Sequence, residues 1–242
     1  MLSKVSLEEL VKTGAHFGHQ SKRWNPKMEP FLFGVKDGTH FFDLTKTKEL
    51  LEEALKFLEK SAKEGKRILF VGTKKQCKAK IEEVAKKVGE FYVNERFLGG
   101  TLTNFEQIVR STKKLSEMKN KLAFGEYKGY TKKEKLLVEK EIARMERFFG
   151  GIVGIEKVPD IMVVVDIKKE SGAVKEASVK GVTTVAIVDS NCDPTLVDYP
   201  IPMNDDATRA IGYVLDLMEK AIMKGKGVNN KQSVLVNKNK EE

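Results

Sequence analysis

Ile68-Leu69-Phe70-Val71 is an unbroken apolar run, entered through Lys66-Arg67 and left through Gly72. A run without polar alternation predicts a strand buried on both faces. Ile161 to Val165 and Thr184 to Val188 repeat the pattern, and Phe91-Tyr92-Val93 and a segment around Ile201 are shorter versions of it. Between these runs the apolar positions return at helical spacing. Leu50, Leu51, Ala54, Leu55, Leu58 and Ala62 share one face over residues 43–63, and Cys77, Ile81, Val84, Ala85 and Val88 share one over 74–88. Gly89 closes the second helix, and further helices are expected over 171–180, ended by Gly181, and over 207–224. Asn204, Asp205 and Asp206 stand before the last of these as its cap. Buried strands alternating with helices predict an α/β fold, a doubly wound parallel sheet of the flavodoxin or Rossmann kind with right-handed crossovers.

One stretch breaks that alternation. Phe105, Ile108, Thr112, Leu115, Lys119 and Leu122 step by three and four, Gly125 and Gly129 interrupt, and Val138, Ile142, Met145 and Phe149 resume. Thr131 with Glu134 spells a capping box. The pattern predicts an inserted antiparallel helical hairpin, a coiled-coil arm of roughly 30 Å at 1.5 Å per residue. The expected organisation is therefore an N-terminal segment and first half of the α/β domain over 1–104, the hairpin over 105–149, the second half over 150–224, and a disordered basic tail over 225–242. Near the start, Ser6 and Glu9 cap a short helix beginning at Leu7. Residues 15–28 are too broken for a helix and are expected as a loop. Phe31 to Val35 and Thr39 to Leu44 flank a hairpin turn at Lys36-Asp37-Gly38.

Charge changes the picture from fold to partner. The 242 residues carry a net charge of +9, yet residues 160–219 hold 11 acidic and five basic side chains, leaving +15 for the remainder. Between Glu106 and Arg147 there are 12 basic and seven acidic residues. A strongly basic surface with one acidic region fits two kinds of partner, the larger of them polyanionic. No apolar run reaches the 18 or more residues of a membrane span, and Glu8-Glu9 argues against a signal peptide. Two cysteines, Cys77 and Cys192, lack zinc-site spacing and point to a reducing cytosol.

Catalysis finds no support. Gly72-Thr73-Lys74-Lys75 after the first core strand is neither of the glycine-rich phosphate fingerprints, and no nucleophile with a base is apparent. Nucleic-acid contact is better served. Lys22, Arg23 and Lys27 suit phosphates beside Trp24, a stacking surface, and Asn25. Lys74 and Lys75 stand where a helix start would favour phosphate. Asn94 and Arg96 follow a strand at the carboxyl edge. Arg110, Lys113, Lys114, Lys132 and Lys133 lie on the predicted arm. Each set also reads as ordinary solvated surface, with Trp24 pinning its loop to the body.

Ordered blocks make the reading specific. LEELVKTGAHFG (7–18) with HQSKRWNPKMEPFLFG (19–34), ILFVGTKK (68–75), Tyr92-Val93-Asn94, Arg96 with LGGTLTN (98–104), Tyr130 to Glu134, PDIMVVVD (159–166), AIVDSNCDP (186–194) and IPMNDDATRA (201–210) follow one another in the chain. Together they resemble the S-two family of bacterial small-subunit ribosomal proteins, from about residue 5 to about residue 224. Tyr130, where a leucine is expected, and Thr183, where proline or alanine is usual, depart from the pattern without touching charged positions. The resemblance implies a structural constituent of the cytoplasmic ribosome, bound to small-subunit rRNA and neighbouring proteins. It also implies support for docking of ribosomal protein S-one in translation, with no small-molecule substrate and no membrane. A free RNA-binding regulator or assembly factor is the alternative that composition leaves standing, ahead of a nucleotide-binding enzyme.

Asp189 and Asp193 follow one predicted strand, Asp205 and Asp206 the next, and His16 and His19 lie in the broken N-terminal stretch. Three readings stay open for this group. They are helix capping with lysine salt bridges, a docking face for a basic protein, and a divalent site of ligand types that zinc accepts.

Overall fold

A computed structural model of the chain describes residues 5–227. The expected tail falls outside the described residues from position 228 onward. A five-stranded parallel sheet carries the fold, built from β4 (Ile68–Val71), β5 (Phe91–Val93), β6 (Ile161–Val165), β7 (Thr183–Val188) and β8 (Tyr199–Pro202), in the order β5-β4-β6-β7-β8. Counted within this sheet the order is 2-1-3-4-5, the flavodoxin-like winding, and it reverses between β4 and β6. The doubly wound sheet read from the apolar runs is therefore the observed fold.

Alternate residues of each strand feed opposite faces, and that alternation builds two cores. Phe70, Ile161, Val163, Val165, Ile187 and Ile201 face one side, under α2 (Leu44–Lys63), α3 (Lys78–Val88) and α7 (Thr208–Gly225). Leu69, Val71, Met162, Val164, Ala186 and Val188 face the other, against Ala173, Val174 and Ala177 of α6 (Ser171–Lys180). This explains why the strands read as continuous apolar runs: each face is dry.

Two helices, α4 (Phe105–Ala123) and α5 (Lys132–Phe149), separate β5 from β6. They pack on each other through Leu115, Ile142 and Met145, a small core of their own. Thr131 and Glu134 form the expected capping box at the start of α5. The root of the pair belongs to the sheet, because Ile108 is buried in the second core and Phe105 and Phe149 pack against it. A boundary drawn at residues 105 and 149 thus cuts through shared packing.

The N-terminal region differs from its reading as a loop. After α1 (Leu7–Lys12) the chain forms β1 (Phe17–Gln20), which pairs antiparallel with β3 (Thr39–Phe42); β3 also pairs with β2 (Leu32–Lys36), giving a three-stranded sheet ordered β1-β3-β2. In FGHQ only Phe17 favours a strand, and Gly18 disfavours one. Its pairing is imposed by tertiary contact: the amide of His19 donates to Ser190 Oγ at 2.7 Å, and Gly18 lies too close to Ser190 and the carbonyl of His40 to admit a side chain.

Two helix starts also shift. α3 begins at Lys78 with Cys77 as N-cap, so Lys74 and Lys75 sit in the preceding turn rather than in the helix. α7 begins at Thr208 without a side-chain cap. The Asn204 carboxamide oxygen accepts instead from the amides of Asp206 and Ala207, and the two aspartates cap nothing.

Candidate functional site

The carboxyl ends of β4, β6, β7 and β8 converge on a buried charge cluster beside the point where strand order reverses, the place where open α/β sheets hold ligands. Here the cluster is closed by the protein's own groups. Lys74 Nζ lies 2.6 Å from Asp205, 2.8 Å from Asp206 and 3.0 Å from Asp166. Asp166 holds a left-handed backbone (φ 66°), and its carboxylate accepts from the amides of Lys168 and Lys169. Asp189 accepts from the amide of Ser190 at 2.6 Å, from the amide of Asp205 at 3.1 Å, and from His19 Nδ1 at 2.9 Å. His19 Nε2 stands 3.7 Å from Asp206.

These contacts set the protonation states. Burial opposes charge on Lys74, but its hydrogen bonds to Asp205, Asp206 and Asp166 hold its pKa above that of an ordinary lysine. Burial, reinforced by the charges of Asp189 and Asp166, pushes Asp205 up to about 7 against the pull of Lys74. The hydrogen bond to Asp189 raises His19, outweighing its burial. Asp166, Cys192 and Asp205 bring one ligand-type atom each to within 4.8 Å of one another. The fit to a metal is poor: Lys74 already neutralises two of the three. The Cys192 thiol, pushed up to about 12 by burial and by the charges of Asp205, Asp166 and Asp189, stays protonated.

The sequence-derived acidic group is thus only partly assembled. His19, Asp189, Asp205 and Asp206 come together. His16 does not, since its ring packs 4.1 Å from that of Phe17 and burial lowers its pKa. Asp193 lies apart, paired with Lys27 at 2.6 Å and accepting from Thr195. With Asp189 and Asp205 buried, these aspartates form no continuous acidic face. Lys74 and Asp166 were not foreseen as the centre. The signal for Asp166 was present, because the runs 161–165 and 184–188 both end in aspartate (VVVD, AIVD).

The basic candidates divide by whether their charge is free. Lys22, Arg23, Lys75, Arg96, Arg110, Lys113, Lys114, Lys132 and Lys133 are exposed, and none is ion-paired among the described residues. Lys27 and Lys74 are engaged as described. Asn94 donates to Glu82 at 3.0 Å, and the amide of Asn25 donates to the carbonyl of Ser190 at 2.8 Å. Trp24 is half-buried, its ring centroid 4.9 Å from that of His40 in β3, so it packs on the N-terminal sheet.

The root of the helical pair is held by a carboxylate. Glu176 of α6 accepts from the amides of Gly100, Leu102 and Thr103 at 2.6, 2.9 and 3.1 Å. Although burial works against its charge, these donors keep its pKa below the usual glutamate value. On the opposite side Arg147 reaches Glu95 at 2.9 Å, and Lys78 shares the same carboxylate at 3.0 Å.

Comparison with known proteins places this architecture. The family model described as ribosomal protein S2 matches residues 10–225. The chain belongs to the ribosomal protein S2 family. It is 46% identical over 237 residues to small ribosomal subunit protein uS2 of Dictyoglomus thermophilum, covering 97% of this chain and 95% of the relative. It is 44% identical to the uS2 of Petrotoga mobilis, over 93% of this chain and 78% of that one, and 45% identical to the uS2 of Geotalea uraniireducens, over 95% and 90%. The S2 family is one of ribosomal proteins and not of enzymes, in keeping with a strand-end cluster filled by the protein's own lysine. Among the described residues no helix is long and apolar enough to cross a membrane.

Proposed function

We propose that the chain is a structural constituent of the small subunit of the cytoplasmic ribosome and that it binds the subunit's rRNA through its free cations. The carrying observation is the match to small ribosomal subunit proteins over more than nine-tenths of the chain. The distribution of charge supports the RNA component: many carboxylates of the acidic region are engaged by the protein's own lysines, amides and hydroxyls, while the unpaired lysines and arginines stay at the surface. Phosphate contact through such groups is salt-dependent, and each cation removed lowers the salt slope by roughly 0.9. Lys22→Ala with Arg23→Ala and Arg110→Ala should lower incorporation into small subunits, with an unchanged melting temperature. Wild-type incorporation by this triple variant would sink the surface assignment.

Docking of ribosomal protein S-one rests on the family resemblance alone, and the buried Asp189 and Asp205 do not supply a face for it. A zinc ion held by His19 with Asp189, Asp205 or Asp206 has their closeness in its favour and the ammonium of Lys74 against it. Elemental analysis of the purified protein decides: stoichiometric zinc lost on changing Asp189, Asp205 and Asp206 to alanine supports the ion, and no zinc in either protein removes it.

A further inference from the structure

The far end of the helical pair has no core. The small core of Leu115, Ile142 and Met145 ends at Met118 and Val138, and no residue from 119 to 137 is buried. Phe124, beside the turn, is 80% exposed, and Tyr130 is about half exposed. The rings of Tyr127 and Tyr130 stand edge to face with centroids 5.1 Å apart. Leaving a phenylalanine in water at a turn forfeits the burial that usually keeps one there.

Charge says what covers it. Between Lys119 and Lys135 there are six basic and two acidic residues, and Glu134 is already occupied by the Thr131 capping box. Lys121, Lys128, Lys132 and Lys133 form no ion pair among the described residues. Exposed aromatic rings set among unpaired lysines match a partner with flat apolar faces and a negative backbone. Unstacked RNA bases have both, whereas a duplex hides its base faces. A protein partner would meet Leu136 and Leu137, also half exposed, but would have to be strongly acidic.

We propose that the turn joining α4 and α5 is a stacking site for unpaired RNA nucleotides, with Phe124 and Tyr130 as platforms and the flanking lysines on the phosphates. This rests on the rRNA-binding reading above and adds to it a chemistry and a place. The test uses small subunits assembled with the full chain, irradiated with ultraviolet light and digested, the nucleotide-bearing peptides then being mapped. The peptide carrying Phe124 and Tyr130 should bear a ribonucleotide from an unpaired segment. Phe124→Ala should lower that yield about five- to 150-fold, the loss of one base–aromatic stack. Because Phe124 is exposed, its loss does not threaten folding, and equal occupancy of the variant in the subunits checks this. Nucleotide adducts confined to other peptides would overturn the stacking site and leave rRNA binding standing. So would a crosslink from this turn to a neighbouring protein that is lost in Leu136→Ser with Leu137→Ser. Absence of the wild-type chain from the subunits would overturn the proposed function itself.

Discussion

At His19 two carboxylates and at His40 an apolar enclosure pull stability in opposite directions with pH. The hydrogen bond to Asp189 raises the folded pKa of His19 above the ordinary 6.5, so its contribution is complete below that pH and is lost as pH rises through the folded value. Asp205, raised from 3.8 to about 7, also costs stability as pH rises, but between those two values, because ionising it in the fold is costly. His40 is the reverse case. Burial lowers its pKa, and neither ring nitrogen has a hydrogen-bond partner, so its contribution is present above 6.5 and lost as pH falls below it. Urea melts should show His19→Gln flattening the loss above pH 6.5, and Asp205→Asn removing a separate loss between pH 3.8 and about 7. His40→Phe should flatten the acidic side. An unchanged alkaline slope in His19→Gln would refute the assignment to that ring. Gly72 makes a steric prediction: an added methyl group would run into Ile81, so Gly72→Ala should cost about 1–3 kcal/mol by overpacking in the same melts.

Among the elements, the helical pair is positioned by contacts that its own heptad pattern does not contain. Glu176 reaches it from α6, and Gly151, just beyond α5, is pressed so closely on the backbone and ring of Tyr92 that no side chain fits. Glu176→Ala would strand the amides of Gly100, Leu102 and Thr103, with an expected cost of about 2 kcal/mol, and Glu176→Gln should recover part of it. A cost near zero would mean that water replaces the carboxylate. The seam between α4 and α5 was legible at Leu115, Ile142 and Met145 because helical period and capping are local properties. The clamp was not, because Glu176 is more than seventy residues away in sequence.

Over the whole molecule the question is where the pair stops being part of the sheet. Ile108 lies in the second core, while Leu115 and Met145 do not. Replacing residues 113–143 with a short glycine-rich linker should therefore leave a cooperatively melting domain, because loop closure grows costly only slowly with length. Removing 105–149 should lower the melting temperature further by exposing the face that Ile108, Phe105 and Phe149 cover. Equal melting temperatures for the two deletions would show that the root contributes nothing to the domain.

The five core strands, most of the helices and the capped hairpin were readable from the chain because each depends on apolar period and end chemistry within one segment. Family membership was readable too, because it lies in the order of short blocks. Tertiary structure alone decided three things. FGHQ became β1 because Ser190 and β3 offer it hydrogen bonds that its propensity does not predict. Asp166 was visible as a residue after a strand, but its partner was not, since the sheet order brings Lys74 beside it across some ninety positions of sequence. Lys27 and Lys74 read as free cations alongside Lys22 and Lys75, and only the fold distinguishes them. A charge is free or neutralised according to what faces it in space, and in a parallel sheet wound through long crossovers those neighbours are distant in sequence.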